Sequence, residues 1–252
     1  MPERPAPRPT PGRADGIRAR NRASIEAELR AVGRRHLAEV GAAALSLRSV
    51  ARELGMVPSA LFRYVSGRDE LLTLLIVDAY TSLGEAAEAA HAAVEPTDLR
   101  ARWAAVARSV RTWALAHPHE WSLIFGSPVP RYDAPADVTN DPGTRVPRLL
   151  MAIGADAAAR RLAGPATFTP ASRAAELAGR ASEDLLRSDP DLAASGMTPV
   201  ELANGLVVWT MLVGAVSAEV FQQLGERTIS DAEAFFDYQV ATAAAILFGP
   251  GG

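Results

Sequence analysis

The chain of 252 residues contains no cysteine and no lysine. Without cysteine there are no disulfides and no thiolate metal sites, which agrees with a reducing, cytoplasmic setting. Without lysine, every fixed positive charge is an arginine. Catalytic signatures are missing too: no Gly-rich phosphate loop, no nucleophile elbow and no His-Glu-x-x-His run can be found. Neither an enzyme nor a cofactor is therefore expected, and no catalytic residue is named. The start, MPERPAPRPTPGRADG, has no apolar h-region and does not read as a secretory signal. No stretch is expected to be long and apolar enough to cross a membrane. Runs of alternating β-branched residues and Asn-Gly hairpin signals are also lacking, which leaves an all-α fold.

What is present is unevenly spread. The net charge is −3, but residues 1–68 carry 13 Arg against 6 acidic side chains, a net +7, while residues 69–252 carry 13 Arg against 23, a net −10. A basic head on an acidic body is the footprint of a nucleic-acid-binding module whose remainder is repelled by the duplex. Arginine used alone, with abundant alanine, suggests a GC-rich bacterial genome. With 48% hydrophobic residues there is ample material for a core.

The head is organised around Ser46 to Arg68, SLRSVARELGMVPSALFRYVSGR. Val50, Ala51 and Leu54 put an apolar face on a first short helix, with Ser46 as its cap. Gly55 can take the left-handed conformation that turns the chain, and Pro58 suits a first helical position. The second helix, about Pro58 to Val65, is expected to bury Leu61 and Val65 and to turn Ser59, Ala60, Arg63 and Tyr64 outward. That is the geometry of a helix-turn-helix that reads the DNA major groove.

In these residues the chain resembles the TetR family of transcriptional repressors. Ser46, Arg48, Val50, Ala51, Gly55, Met56, Leu61, Phe62, Tyr64, Val65, Arg68 and Leu71 stand in register with the family's pattern. Phe62 replaces the usual Tyr and lacks its hydroxyl. Arg68 replaces the usual Lys and adds a fork suited to phosphate oxygens. Val57 stands where a capping Ser is common, which weakens that helix start by about 1 kcal/mol. The resemblance implies DNA contacts from Arg48, Ser49, Val57, Pro58, Ser59, Ala60, Phe62, Arg63, Tyr64 and Arg68. Tyr64 and Arg68 match backbone-binding positions, and Arg63 is the one long side chain expected at a base edge.

Along the chain, residues 1–18 are expected to be a disordered basic tail, either a solvated tail or an arm reaching the minor groove through Arg13, Arg18 or Arg20. Residues 19–70 are expected to form a DNA-binding domain of three helices, and residues 71–249 a larger helical domain to which the resemblance assigns effector binding and dimerisation. Ile25, Leu29, Val32, Leu37 and Val40 stripe the first helix, Gly41 stops it, and His36 packs beside the stripe. A long helix after Ser66 runs toward Ala90 and links head to body. Further helices are expected from Asp98 to His117, from Glu120 to Phe125 and from Ala171 to Arg187, while residues 126–147, rich in proline, are expected to be mostly loop. Thr198-Pro199-Val200-Glu201 and Ser230-Asp231-Ala232-Glu233 read as capping boxes that open the last two helices. Gly205, Gly214, Ala215 and Ala218 allow close approach in a dimer interface.

The segment HPHEWSLIFGSPVPRYDAP, followed by Trp209, Leu212 and Gly214, is similar to the WHG-type C-terminal domain of some TetR-like regulators, with Val213 where that pattern has His. His117, His119 and Glu120 are poorly spaced for a metal, and none is expected. Trp103, Trp113, Trp121, Phe125, Tyr132, Phe168, Trp209 and Met211 are core candidates residue by residue, and as a set candidates to line one apolar cavity. The resemblance implies a homodimer on a near-palindromic double-stranded operator, with an unidentified small apolar effector that releases a repressor from DNA. The alternative is a TetR-like DNA binder with no effector, governed by a protein partner or by abundance.

Overall fold

A computed structural model describes residues 11–160, 172–225 and 228–249, and among them there are helices and no strand. Twelve helices follow in order: α1 Pro11–Ala44, α2 Leu47–Glu53, α3 Pro58–Leu61, α4 Arg68–Ala92, α5 Leu99–Ala116, α6 Pro118–Phe125, α7 Ala136–Gly143, α8 Arg145–Ala159, α9 Ser172–Ser188, α10 Pro190–Ala194, α11 Pro199–Val220 and α12 Ala232–Phe248. They divide into two compact units. The first holds the chain up to Leu75 together with Val129–Tyr132; the second holds Ile76–Pro128 and Asp133–Gly252.

In the first unit Leu29, Val32 and Leu37 of α1 are buried with Leu45, Val50, Ala51, Leu61, Val65, Leu71, Leu72 and Leu75. Gly33 lets α4 approach closely, since a Cβ there would lie 3.3 Å from a Leu75 methyl. Gly41 breaks α1 at φ 74°, where the sequence places the stop. Of the residues 1–18 expected as a tail, those from Pro11 on are helical, in α1. Proline costs nothing at a first helical position, and the residues after it are mostly Arg and Ala, which are good helix formers. Residues 1–10 lie outside the described chain.

In the second unit, α5 supplies Leu99, Trp103, Val106, Val110 and Trp113 to one core with Ala79, Leu83 and Ala87 of α4 and buried residues of α6, α8, α11 and α12. The proline-rich segment is loop only up to Pro135, and its second half is helical in α7 and the start of α8. Pro142 sits in the last turn of α7, and Pro147 in the first turn of α8, where no donor is missed. Helix α8 then buries Val146, Leu150, Ile153 and Ala157, a stripe at helical spacing.

The capping box of α11 forms as read: Thr198 Oγ1 accepts from the Glu201 amide at 3.2 Å, and Glu201 accepts from the Thr198 amide at 2.6 Å. Two other caps differ. Asp231, not Ser230, caps α12, accepting from the Ala234 amide at 2.9 Å. Ser46 stands at the N-cap of α2 but makes no side-chain cap bond. Helix α11 also corrects the expectation about membrane spans: by length and composition it could cross one, with mean hydropathy 1.5 and 28% of that window buried.

Candidate nucleic-acid interface and body cavities

The turn between α2 and α3 is built as its residues dictate. Gly55 takes φ 65°, and the Met56 amide donates back to the Ala51 carbonyl at 2.9 Å. Val57 is extended and offers no side-chain cap, and only Pro58–Leu61 is α-helical. The expected helix to Val65 is correspondingly shorter. The chain continues as a tight turn in which Tyr64 donates to Leu61 at 2.9 Å, and Leu61 and Val65 are buried as the pattern requires. Val57, Pro58, Ser59, Phe62 and Arg63 are exposed, while Ala60 and Tyr64 are half-buried; on α2, Arg48 is exposed and Ser49 half-buried. The Arg22 guanidinium lies 5.9 Å from the centre of the Tyr64 ring.

Two charged clusters hold this unit in shape. Arg35 donates to Glu53 Oε1 through Nε and Nη2 at 3.0 and 2.6 Å, and His36 Nε2 lies 2.6 Å from Glu53 Oε2. These bonds, Arg35 first and His36 second, hold the Glu53 carboxyl below the usual range. Arg68, expected at a phosphate, has its guanidinium turned toward the protein's own carbonyls. Nε donates to the Leu45 carbonyl at 3.1 Å and Nη2 to the carbonyls of Ala42 and Ala43 at 2.9 and 3.2 Å. These carbonyls lie at the end of α1 and just beyond it, where helical partners run out.

The aromatic set does not gather in one place. Trp121, Phe125 and Trp209 pack together, with Phe125 4.4 Å from Trp121 and 6.0 Å from Trp209. Tyr80, which the sequence did not single out, joins them with its ring centre 6.0 Å from Phe125, and burial raises its phenol pKa. Trp113 stacks on His117 and donates to Ser82 Oγ at 3.0 Å. Trp103 and Met211 border a separate cleft of about 180 Å³ between α11 and α12. Tyr132 belongs to the first unit, where its hydroxyl lies 2.9 Å from Thr73 Oγ1. Phe168 lies outside the described residues.

A further cavity of about 230 Å³ opens among α8, α11 and α12, lined by Leu150, Met151, Met197, Val200, Ile246 and Leu247, with Asn204 and Glu201 as its polar groups. Its residues are aliphatic and sulfur-bearing, so a search by aromatic content passes over them. Another cleft of about 220 Å³ lies between the end of α11 and α12, by Ala218, Glu219, Gln222 and Phe235. Among the described residues no three His, Asp or Glu side chains converge to hold a metal.

Two buried or half-buried arginines tie the body together. Arg102 donates to His91 Nε2 at 2.8 Å, to the Pro96 carbonyl at 3.1 Å and to Asp156 at 2.6 Å. Arg111 grips Glu219 with two bonds, 2.7 and 2.6 Å, which raise its pKa further, and its guanidinium lies 5.3 Å from the Phe236 ring centre.

Comparison with known proteins agrees with this architecture. Residues 103–243, more than half of the chain, match the family described as "Tetracyclin repressor-like, C-terminal domain". The chain is 41% identical over 235 residues to an HTH-type transcriptional regulator of Mycobacterium bovis, covering 92% of this chain and 96% of that protein, and equally to one of Mycobacterium tuberculosis. Among solved structures, the regulatory protein SCO4313 superposes with a TM-score of 0.70 at 30% identity, covering 89% of this chain and 97% of its own. A TetR-family regulatory protein from Rhodococcus RHA1 shares the fold, with a TM-score of 0.57 at 16% identity, covering 90% of this chain and 98% of its own. An all-helical chain with a glycine-turned helix-turn-helix, matched along nearly its whole length by such regulators, belongs to the TetR family of transcriptional regulators.

Proposed function

We propose that this regulator is a repressor that binds a near-palindromic operator as a homodimer, in the cytoplasm with the chromosome, and leaves it when a small apolar compound enters the body. The observation that carries the DNA-binding part is the turn at Gly55, which leaves Val57, Ser59 and Arg63 exposed on a head of net charge +7. Phosphate contacts are assigned to Arg48 and Tyr64, and base reading to Val57, Pro58, Ser59, Ala60 and Arg63, with Ser49 and Phe62 at the edge of the same surface.

Dimerisation is supported by α11 and α12. Helix α11 is highly apolar yet little buried, with Leu206 at 41% and Val207 at 49% exposure, and Tyr238 of α12 is 69% exposed. At Gly214 a Cβ would meet no atom within 4 Å, which leaves room for a second copy. The two clefts bordered by α11 and α12 would lie under that copy.

Effector binding is supported by the cavity among α8, α11 and α12, whose apolar wall with one amide and one carboxylate suits a small, largely apolar molecule. A ligand that displaces α4, which carries the chain from Arg68 to Ala92, would spoil the spacing of about 34–36 Å that two recognition helices need. The expected coupling is about 1–3 kcal/mol, and operator must weaken ligand binding by the same factor.

Selection of bound DNA from a random pool tests the reading: a near-palindrome is expected, and no enriched sequence would refute it. A thermal-shift screen of small apolar compounds tests the effector. Absence of any specific stabilisation favours the reading without one.

A further inference from the structure

We infer that the recognition element selects thymine by its 5-methyl group, through apolar contact from Val57 and Phe62. The inference rests on the DNA-binding reading above and adds the chemistry by which bases are chosen.

The observations are of exposure and of donor content. Among the described residues of the first unit three large apolar side chains are exposed, Val57 at 65%, Phe62 at 57% and Val40 at 50%, while the others are buried or half-buried. Two of the three lie at the ends of α3, one at its N-cap and one at its C-cap. A lone exposed apolar residue needs no explanation, but two that bracket the base-reading helix do.

The same stretch is poor in groups that could read a base edge by hydrogen bonding. Val57 and Ala60 have no polar side-chain atom, Pro58 lacks even a backbone donor, and only Ser59 and Arg63 remain. The first residues of a recognition helix are those that meet base edges. In the major groove the one apolar feature of an unmodified base pair is the C5 methyl of thymine, so Val57 and Phe62 can discriminate there only by covering it. Phe62 fits this better than a tyrosine would, because no hydroxyl has to be desolvated when its ring enters the groove.

Arg63 is adjacent to Phe62 and carries the planar fork that matches guanine. The half-site should therefore combine thymines read by methyl with a guanine read by Arg63, and it should not depend on hydrogen bonds at the thymine positions.

Deoxyuridine separates these terms, since it keeps every hydrogen-bonding group of thymine and removes only the methyl. In the selected operator, each thymine is replaced in turn by deoxyuridine at symmetric positions, and binding of the full-length protein is measured. The expected result is a loss of about fourfold per half-site at one or two positions, the worth of one buried methyl. Val57→Ala should abolish the loss at one of those positions and Phe62→Ala at the other, with unfolding temperatures unchanged because both side chains are exposed. Equal binding of every deoxyuridine duplex would overturn the inference. So would losses that persist undiminished in both variants, since other side chains would then do the reading. Failure of the wild type to enrich any sequence would instead refute DNA binding, and this inference with it.

Discussion

Arg145 crosses helix α4 directly over Gly84, so closely that a Cβ on Gly84 would lie 2.8 Å from its Nε and 3.0 Å from its Cβ. The guanidinium goes on to grip Glu88 at 2.8 and 2.6 Å and to donate to the Thr81 carbonyl at 3.1 Å, which draws the Glu88 carboxyl below its usual range. Gly84→Ala should therefore destabilise the body although alanine is the better helix former. Overpacking of about 1–3 kcal/mol is offset by about 1 kcal/mol of propensity. The check is a double-mutant cycle in urea: Gly84→Ala should cost less in the Arg145→Ala background, where the contacts at 2.8 and 2.9 Å are gone and only the one to Cβ is left.

Arg68→Ala tests whether its inward bonds exhaust its role. Loss of a guanidinium bonded to three carbonyls should destabilise the head by about 1.5–3 kcal/mol. The salt dependence of operator binding should stay as in the wild type. A slope smaller by about 1–2 per dimer would mean that Arg68 also neutralises phosphate.

Arg63→Ala, by contrast, should relax preference at one position per half-site at a cost of about 1–3 kcal/mol, measured against a panel of operator variants. A uniform loss on every variant would make Arg63 a phosphate contact.

His91 gives the body a pH dependence. Burial first, and the Arg102 charge second, hold its pKa below the ordinary 6.5, with Asp156 opposing. The unfolded chain then binds the proton more readily, so no penalty exists above pH 6.5, and stability falls as pH drops below it toward the folded pKa. His91→Gln, which can still accept from Arg102, should flatten the difference between unfolding temperatures at pH 7.5 and pH 5.5.

Val207→Glu should leave the protomer folded, because Val207 is 49% exposed, and should yield a monomer by sedimentation with weakened operator binding. A variant that remained dimeric would move the interface away from α11.

How far the sequence could be read depended on the kind of signal. Local chemistry was legible: Gly55 turned the helix-turn-helix, and Thr198 with Glu201 capped α11, because each acts within a few residues of itself. Proline misled, because its meaning depends on position; Pro147 in a first turn starts α8 where a count of prolines reads loop. Convergence in space was not legible at all. Trp121, Phe125 and Trp209 meet while Tyr132 goes to the other unit, and Arg68 turns to carbonyls at the end of α1, some twenty-five residues away in the chain. The cavity among α8, α11 and α12 is walled by methionine and aliphatic residues that no pattern distinguishes from core.

The four residues Val129–Tyr132 belong to the first unit although more than fifty residues separate them from Leu75. The DNA-binding module is thus discontinuous in the gene. A chimera spliced at one point after Leu75 would inherit a head without the Tyr132 hydroxyl that meets Thr73, so exchange of operator specificity between relatives calls for two grafts, one at each end of this excursion of the chain.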